Sequence, residues 1–225
     1  MMFQNRDLQL VTPSFQFKLR YLGAIASVVG IGLFSAPQPA LAHHAMGGRM
    51  PSNFFEGFLS GLAHPLIGLD HLAFVVAIAL LAVGQARGTL LPVGFVIAAM
   101  AGTGIHLLRF DLPATEIAIA ISVIAFGTML VLQQRPNWWV TAILAAIAGL
   151  FHGYAYGEAI VGAQMSPLFA YLLGFTLIQS VVALTAYLLG AAMKKATVPN
   201  LPWLRLAGIA IASIGVVFLT SAMHG

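Results

Sequence analysis

Two histidines and an aspartate stand together in His64-Pro65-Leu66-Ile67-Gly68-Leu69-Asp70-His71, directly ahead of the apolar run Leu72–Val83. Imidazole nitrogens with a carboxylate form the donor set of a borderline divalent ion such as Ni²⁺, Co²⁺ or Zn²⁺. An acid placed in hydrocarbon costs about 2.5–3.5 kcal/mol, so Asp70 needs a partner, water or an ion. On a continuous helix His64 and His71 lie two turns apart on nearly one face, with Asp70 about 100° round. Gly68 is the point where the backbone can yield and let the three converge. Pro65 suits a first helical position, which leaves His64 just outside the helix. The bland alternative has Asp70 capping or pairing locally while the histidines hydrogen-bond within a bundle.

A second constellation is Phe151-His152-Gly153-Tyr154-Ala155-Tyr156-Gly157-Glu158. Its small residues permit either close helix approach or unwinding that would expose backbone carbonyls. Histidine and acid are six residues apart here, as His64 and Asp70 are, which hints at an internal repeat. Tyr154 and Tyr156 are by default aromatics of the membrane interface. Glu116, just after Pro113, is either a ligand or a first-turn acid favoured by the helix dipole. His106 closes an apolar run, where an imidazole is equally ordinary. His43 and His44 would adjoin a processed N-terminus, and Gln179 and Ser180 fall in mid-span. The methionines form no shared stripe, which argues against a soft copper path.

The elements that must position these groups are apolar helices. The chain of 225 residues is 60% hydrophobic and 7% charged, with a mean hydropathy of +0.95. That composition describes a membrane protein, and the basic pI reflects single loop charges rather than a nucleic-acid surface. With no cysteine, disulfides and thiolate metal sites are excluded. Lys18 and Arg20 precede the short apolar stretch Tyr21–Phe34, and Ala40-Leu41-Ala42 has the form of a signal-peptidase site. The reading is therefore a signal peptide over residues 1–42 and one domain over 43–225.

Six spans are predicted at about 65–84, 89–108, 113–132, 137–155, 167–190 and 203–223, giving an all-α polytopic bundle. Asn53–Gly61 ahead of them reads as a short interfacial helix. Cleavage puts the mature N-terminus outside. Arg87, Arg135, Lys194 and Lys195 then fall in inner loops, as the positive-inside bias requires. The same topology brings His64, Asp70, His71, His106, Glu116 and His152 to the outer half, with Glu158 in the next outer loop. Four distant spans thus offer ligands at one depth.

The first motif resembles the H-P-x-x-G-x-D-H signature of the HupE/UreJ family, membrane proteins associated with hydrogenase and urease and regarded as nickel or cobalt permeases. Glu116–Val123 resembles that family's acid-led third span, and Phe151–Glu158 its H-G-x-x-x-G segment. With the signal peptide and six spans, the resemblance covers nearly the whole chain. It implies ligand roles for His64, Asp70, His71, Glu116, His152 and Glu158. One departure is Tyr156, where many members carry a second histidine; a phenol is a poor ligand for a divalent ion at neutral pH.

The expected function is secondary transport of Ni²⁺ or Co²⁺, with Zn²⁺ fitting the same donors, from the outer face of a bacterial inner membrane. No permanent cofactor is expected. The partners are the ion and the lipid bilayer, with a functional link to metallation of hydrogenase, urease or cobalamin and none to nucleic acid. The absence of G-x-x-x-x-G-K-[ST] leaves ATP hydrolysis by this chain unsupported. Two rivals share the ligand chemistry: an intramembrane zinc hydrolase with Glu116 or Glu158 as base, and a metal-sensing accessory protein. The lack of an H-E-x-x-H helix weighs against the hydrolase.

Overall fold

A computed structural model describes residues 49–132, 137–195 and 203–224. The signal-peptide segment, His43, His44 and the connection holding Arg135 lie outside the described residues. Those described form seven helices: α1 (Phe54–Ile67), α2 (Leu69–Ala82), α3 (Leu90–Leu107), α4 (Thr115–Val131), α5 (Trp138–Glu158), α6 (Met165–Lys195) and α7 (Trp203–His224). No strand occurs among the described residues.

Beyond its first turn, which holds Asp70 and His71, helix α2 is apolar on every face and forms the axis of the bundle. Phe74, Val75, Ala77, Ile78, Ala79, Leu81 and Ala82 are each no more than 1% exposed. An all-round apolar helix is stable only when neighbours cover it, and α3, α4, α6 and α7 all pack on it. Outward faces carry exposed Leu90, Val93, Ile97, Ile143, Leu184 and Leu188, as a lipid-facing surface would. Helices α3, α5, α6 and α7 are each long and apolar enough to cross a membrane, and α1 with α2 reaches that length and hydropathy only as a bent pair. Helix α4, with 17 residues, is apolar but shorter than these four. This is a multi-pass membrane protein.

The first span differs from its sequence-based outline. Pro65 does not open a helix but sits inside the last turn of α1, and the chain breaks at Gly68 instead. The two helices meet there at 76°. The helix predicted over Asn53–Gly61 runs on to Ile67 and packs closely on α6, with Gly57 against the Pro167 backbone and Gly61 against Tyr171. Small residues of this kind let backbones touch where lipid supplies no hydrophobic drive. At the N-terminus of α1, Asn53 caps Glu56 N–H at 2.9 Å, while the Glu56 carboxylate accepts from Ser52 N–H at 2.8 Å.

Helix α5 runs unbroken to Glu158, so Gly153 and Gly157 serve close approach rather than unwinding. Gly153 lies on the Ala99 backbone of α3, and Gly102 of α3 lies on the Leu150 carbonyl of α5. Consequently His152 is an interior residue of α5, not its end, and Glu158 is the last helical residue rather than part of a loop. The equal six-residue spacings also part company, since one crosses a helix break and the other a continuous helix.

Candidate metal centre

At one end of the bundle the N-termini of α2 and α4 meet the C-terminal turns of α1, α5 and α7 around a cavity of about 430 Å³. His64 reaches it from the last turn of α1, and Asp70 and His71 from the first turn of α2. Glu116 enters from the first turn of α4, Glu158 from the end of α5, and Tyr154 from one turn earlier. Phe218, Ser221 and Ala222 of α7 complete the wall. Both acids on α2 and α4 stand at helix N-termini, where the macrodipole favours negative charge. The opposite end of the bundle carries Arg87, whose carbonyl accepts from Trp138 Nε1 at 3.1 Å, and the Lys194 ammonium lies against Gly84. Asp70, Glu116 and Glu158 are thus at one end and Arg87 and Lys194 at the other, separated by the ~30 Å length of α5, while Arg49 pairs with Glu56 at the acid end at 3.4 Å.

The bend at Gly68 replaces the shared helical face. His64 and His71 lie on different helices, with ring centroids 6.0 Å apart and tilted by 45°. Asp70 remains 6% exposed and His64 and His71 2% each. The Asp70 Oδ1 accepts from the backbone N–H of His71 at 2.9 Å. Burial without a counter-charge disfavours a carboxylate, so the local amide and helix end offset only part of the cost.

His152 has no exposure and lies behind His71, outside the cavity lining. Its Nδ1 is 2.7 Å from Nδ1 of His71, and its Nε2 is 3.0 Å from Ser122 Oγ. Beneath the pair, Phe74 stacks against His152 with centroids 4.6 Å apart, and Phe95 and Phe126 flank Phe74 at 5.0 and 4.6 Å. All three rings are at most 1% exposed. This aromatic floor lies between the polar cavity and the apolar remainder of the bundle.

The two tyrosines depart from the interface-belt reading. Tyr156 is fully buried, packs on His71 with centroids 4.4 Å apart, and donates its hydroxyl to Gln179 Oε1 at 3.4 Å. Tyr154 lies against His106 at 4.2 Å, so His106 backs the wall without lining it. Ser180 is exposed and bonds only to the Thr176 carbonyl, at 2.8 Å.

Sequence reasoning missed Ser122 and Tyr171. Tyr171 donates its hydroxyl to the Tyr156 carbonyl at 2.9 Å and stands 3.1 Å from His64 Nδ1. Ser122 could have been found as the one hydroxyl in Ile117–Val123, on the face of α4 shared by Thr115 and Ile119, which line the cavity. Tyr171 had no comparable signal, because its partner is 107 residues away.

Among the described residues, no three His, Asp or Glu side chains stand close enough to clasp an ion as they are placed. The donors instead ring a space that admits a hydrated ion, at about 30 Å³ of liquid volume per water. All donors are nitrogen or oxygen, the choice for Ni²⁺, Co²⁺ or Zn²⁺ over a soft ion.

Comparison with known proteins supplies the relationship. The model of the "HupE / UreJ protein" family matches residues 31–218. "Protein HupE" of Rhizobium leguminosarum bv. viciae is 31% identical over 183 residues, which is 80% of this chain and 91% of that protein. No solved structure matches. With a family match across most of the chain and a relative aligned over nearly its whole length, the chain belongs to the HupE/UreJ family.

Proposed function

We propose that the protein is a secondary permease that takes up Ni²⁺ or Co²⁺ from the outer face of a bacterial inner membrane. The observation that carries this reading is the single cavity shared by His64, Asp70, His71, Glu116 and Glu158. Members of the HupE/UreJ family are accessory or transport proteins rather than enzymes, so the zinc-hydrolase alternative is set aside. Supply of metal to hydrogenase, urease or cobalamin synthesis would be the downstream use.

In this reading Glu116 and Glu158 attract the hydrated cation, and His64, Asp70 and His71 replace part of its water shell. Asp70 offsets positive charge while the imidazoles supply directed lone pairs. The broken α1–α2 span and α4 complete six crossings, with the mature N-terminus outside. A membrane potential of about 100 mV, negative inside, would favour inward movement of a divalent ion by about 4.6 kcal/mol.

Equilibrium binding to the purified protein in lipid tests the ligand set. One Ni²⁺ or Co²⁺ site is expected, with imidazole scattering in its X-ray absorption spectrum that weakens in His71→Gln and is lost when His64 is replaced as well. Binding without any imidazole signature would remove the histidines from the site.

The acids at the rim should behave differently from Asp70. Glu116→Gln and Glu158→Gln are expected to raise the half-saturating metal concentration for uptake about three- to tenfold while largely preserving the maximal rate, because they concentrate the ion rather than hold it. An equal fall in maximal rate would make them ligands of the transported ion. For the N-terminus, Edman sequencing of the purified protein is expected to begin at His43, and a start at Met1 would remove the cleavage step and reopen the topology.

A further inference from the structure

We propose that Gln179 and Thr176 of α6 form a second polar station in the middle of the bundle, which holds water and receives the hydrated divalent ion after it leaves the cavity. That an ion uses the station rests on the permease reading, whereas its hydration stands on the geometry of the two side chains.

Helix α6 runs from the cavity end, where Tyr171 meets His64, to Lys194 at the opposite end. Gln179 lies about 12 Å beyond Tyr171 along the helix axis, and Thr176 is one turn short of it. Tyr171, Phe175 and Gln179 follow at four-residue spacing and are each fully buried, so they share one inward face. The helix carries neither acid nor histidine.

Gln179 is a primary amide with two N–H donors and one carbonyl. Tyr156 gives it a single bond, from the hydroxyl to Oε1 at 3.4 Å, long beside the roughly 2.7–2.8 Å usual for a hydroxyl donor. Its Nε2 meets no acceptor among the described residues. Exchanging the amide oxygen and nitrogen would only move the gap, leaving an unpaired carbonyl oxygen instead. Thr176 repeats the pattern. A hydroxyl inside a helix ordinarily bonds back to the carbonyl one turn earlier, as Ser180 does to Thr176 at 2.8 Å. The buried Thr176 Oγ1 has no partner among the described residues. Side chains three positions apart on a helix are neighbours, so two orphaned groups stand side by side in mid-span. Apolar side chains of the same size would be the more stable choice for packing alone. The ligand that fits both is water, or the water shell of an ion.

Their surroundings agree. Below His152, Phe74, Phe95 and Phe126 offer no polar atom. On the α6 side Tyr156 bridges the two levels. Its ring packs on His71 at 4.4 Å and edge-on to His64 at 5.1 Å, while its hydroxyl reaches Gln179. Neutral amide and hydroxyl oxygens are weaker partners for Ni²⁺ or Co²⁺ than imidazole, and a station on a conduction path must bind weakly enough to let the ion go on.

The test combines water-edited ¹⁵N solid-state NMR of glutamine-labelled protein in lipid with Ni²⁺ uptake, equilibrium Ni²⁺ binding and thermal unfolding. The side-chain signal that disappears in Gln179→Leu identifies Gln179, and in the wild-type protein it should receive magnetisation from water. Gln179→Leu should lower the maximal uptake rate about tenfold or more while Ni²⁺ affinity at the cavity stays within about twofold. Its melting temperature should not fall, because an unpaired polar group has been replaced by an apolar one. Thr176→Val, of nearly equal size, should lower uptake about three- to tenfold with affinity likewise preserved. A Gln179 signal that receives nothing from water would overturn the station, as would wild-type uptake in Gln179→Leu. Uptake lost together with cavity binding and a lowered melting temperature would make Gln179 a packing residue and overturn it too. A hydrated Gln179 in wild-type protein that accumulates no Ni²⁺ would overturn the permease reading and leave the hydrated station standing.

Discussion

Asp70→Asn is expected to abolish divalent-metal uptake, by at least tenfold, in protein that reaches the membrane at normal levels. Asn retains the side-chain oxygen that accepts from His71 N–H at 2.9 Å, so the start of α2 keeps its local bond. What disappears is the negative charge in a site where only 6% of the residue is exposed. At 4 Å and an effective dielectric near 20, one unit pair interacts by about 4 kcal/mol before desolvation is charged against it, and a divalent ion doubles the attraction. A tenfold effect requires only about 1.4 kcal/mol of that to survive. Uptake at wild-type rate with matched membrane levels would make Asp70 a structural cap.

The second large effect concerns packing. Gly153→Leu is expected to destroy the fold, because any side chain at this position enters the Ala99 backbone of α3. A flexible side chain could turn away, but a backbone cannot, so α3 and α5 would have to separate. Separation would also strain the bond from Thr103 Oγ1 to the Gly153 carbonyl at 2.7 Å and move His152 away from His71. Overpacking of this kind costs roughly 1–3 kcal/mol or more. Gly104→Ala on the same α3 is the control. It meets nothing within 4 Å, and alanine favours a helix by about 0.5–1 kcal/mol over glycine. Size-exclusion profiles after detergent extraction should show a sharp peak for Gly104→Ala and aggregate for Gly153→Leu. A sharp peak for both would mean that α3 and α5 are less tightly locked than their contact implies.

Much of the site was legible because its donors are costly where they lie. An acid and two imidazoles bordering an apolar run announce a partner, and the His64–His71 segment stands out on that ground. Their route to convergence was hidden. Apolar residues flank Gly68 on both sides, so hydropathy runs smoothly through a 76° bend. Pro65 is equally compatible with the first turn of one helix and the last turn of another. Helix α5 shows the complementary ambiguity. Gly153 and Gly157 suit both an unwound segment and a tight helix contact, and only the position of α3 decides between them. Tyr156 could not be separated from an interface aromatic until Gln179 and His71 were seen around it. Ser122 and Tyr171 act across helix boundaries, and a single sequence carries no record of such pairings.

The central claim is that an ion captured in the outer cavity passes inward through this protein. Its most direct test is ⁶³Ni²⁺ uptake by sealed vesicles carrying the purified protein, with a potassium diffusion potential of about 100 mV, negative inside. A potential of that size supplies about 4.6 kcal/mol for a divalent ion. Wild-type vesicles should accumulate ⁶³Ni²⁺ well above protein-free vesicles, and Asp70→Asn vesicles should match the protein-free level. Wild-type vesicles that bind the ion at their surface yet accumulate none inside would contradict transport and leave a metal-binding accessory protein.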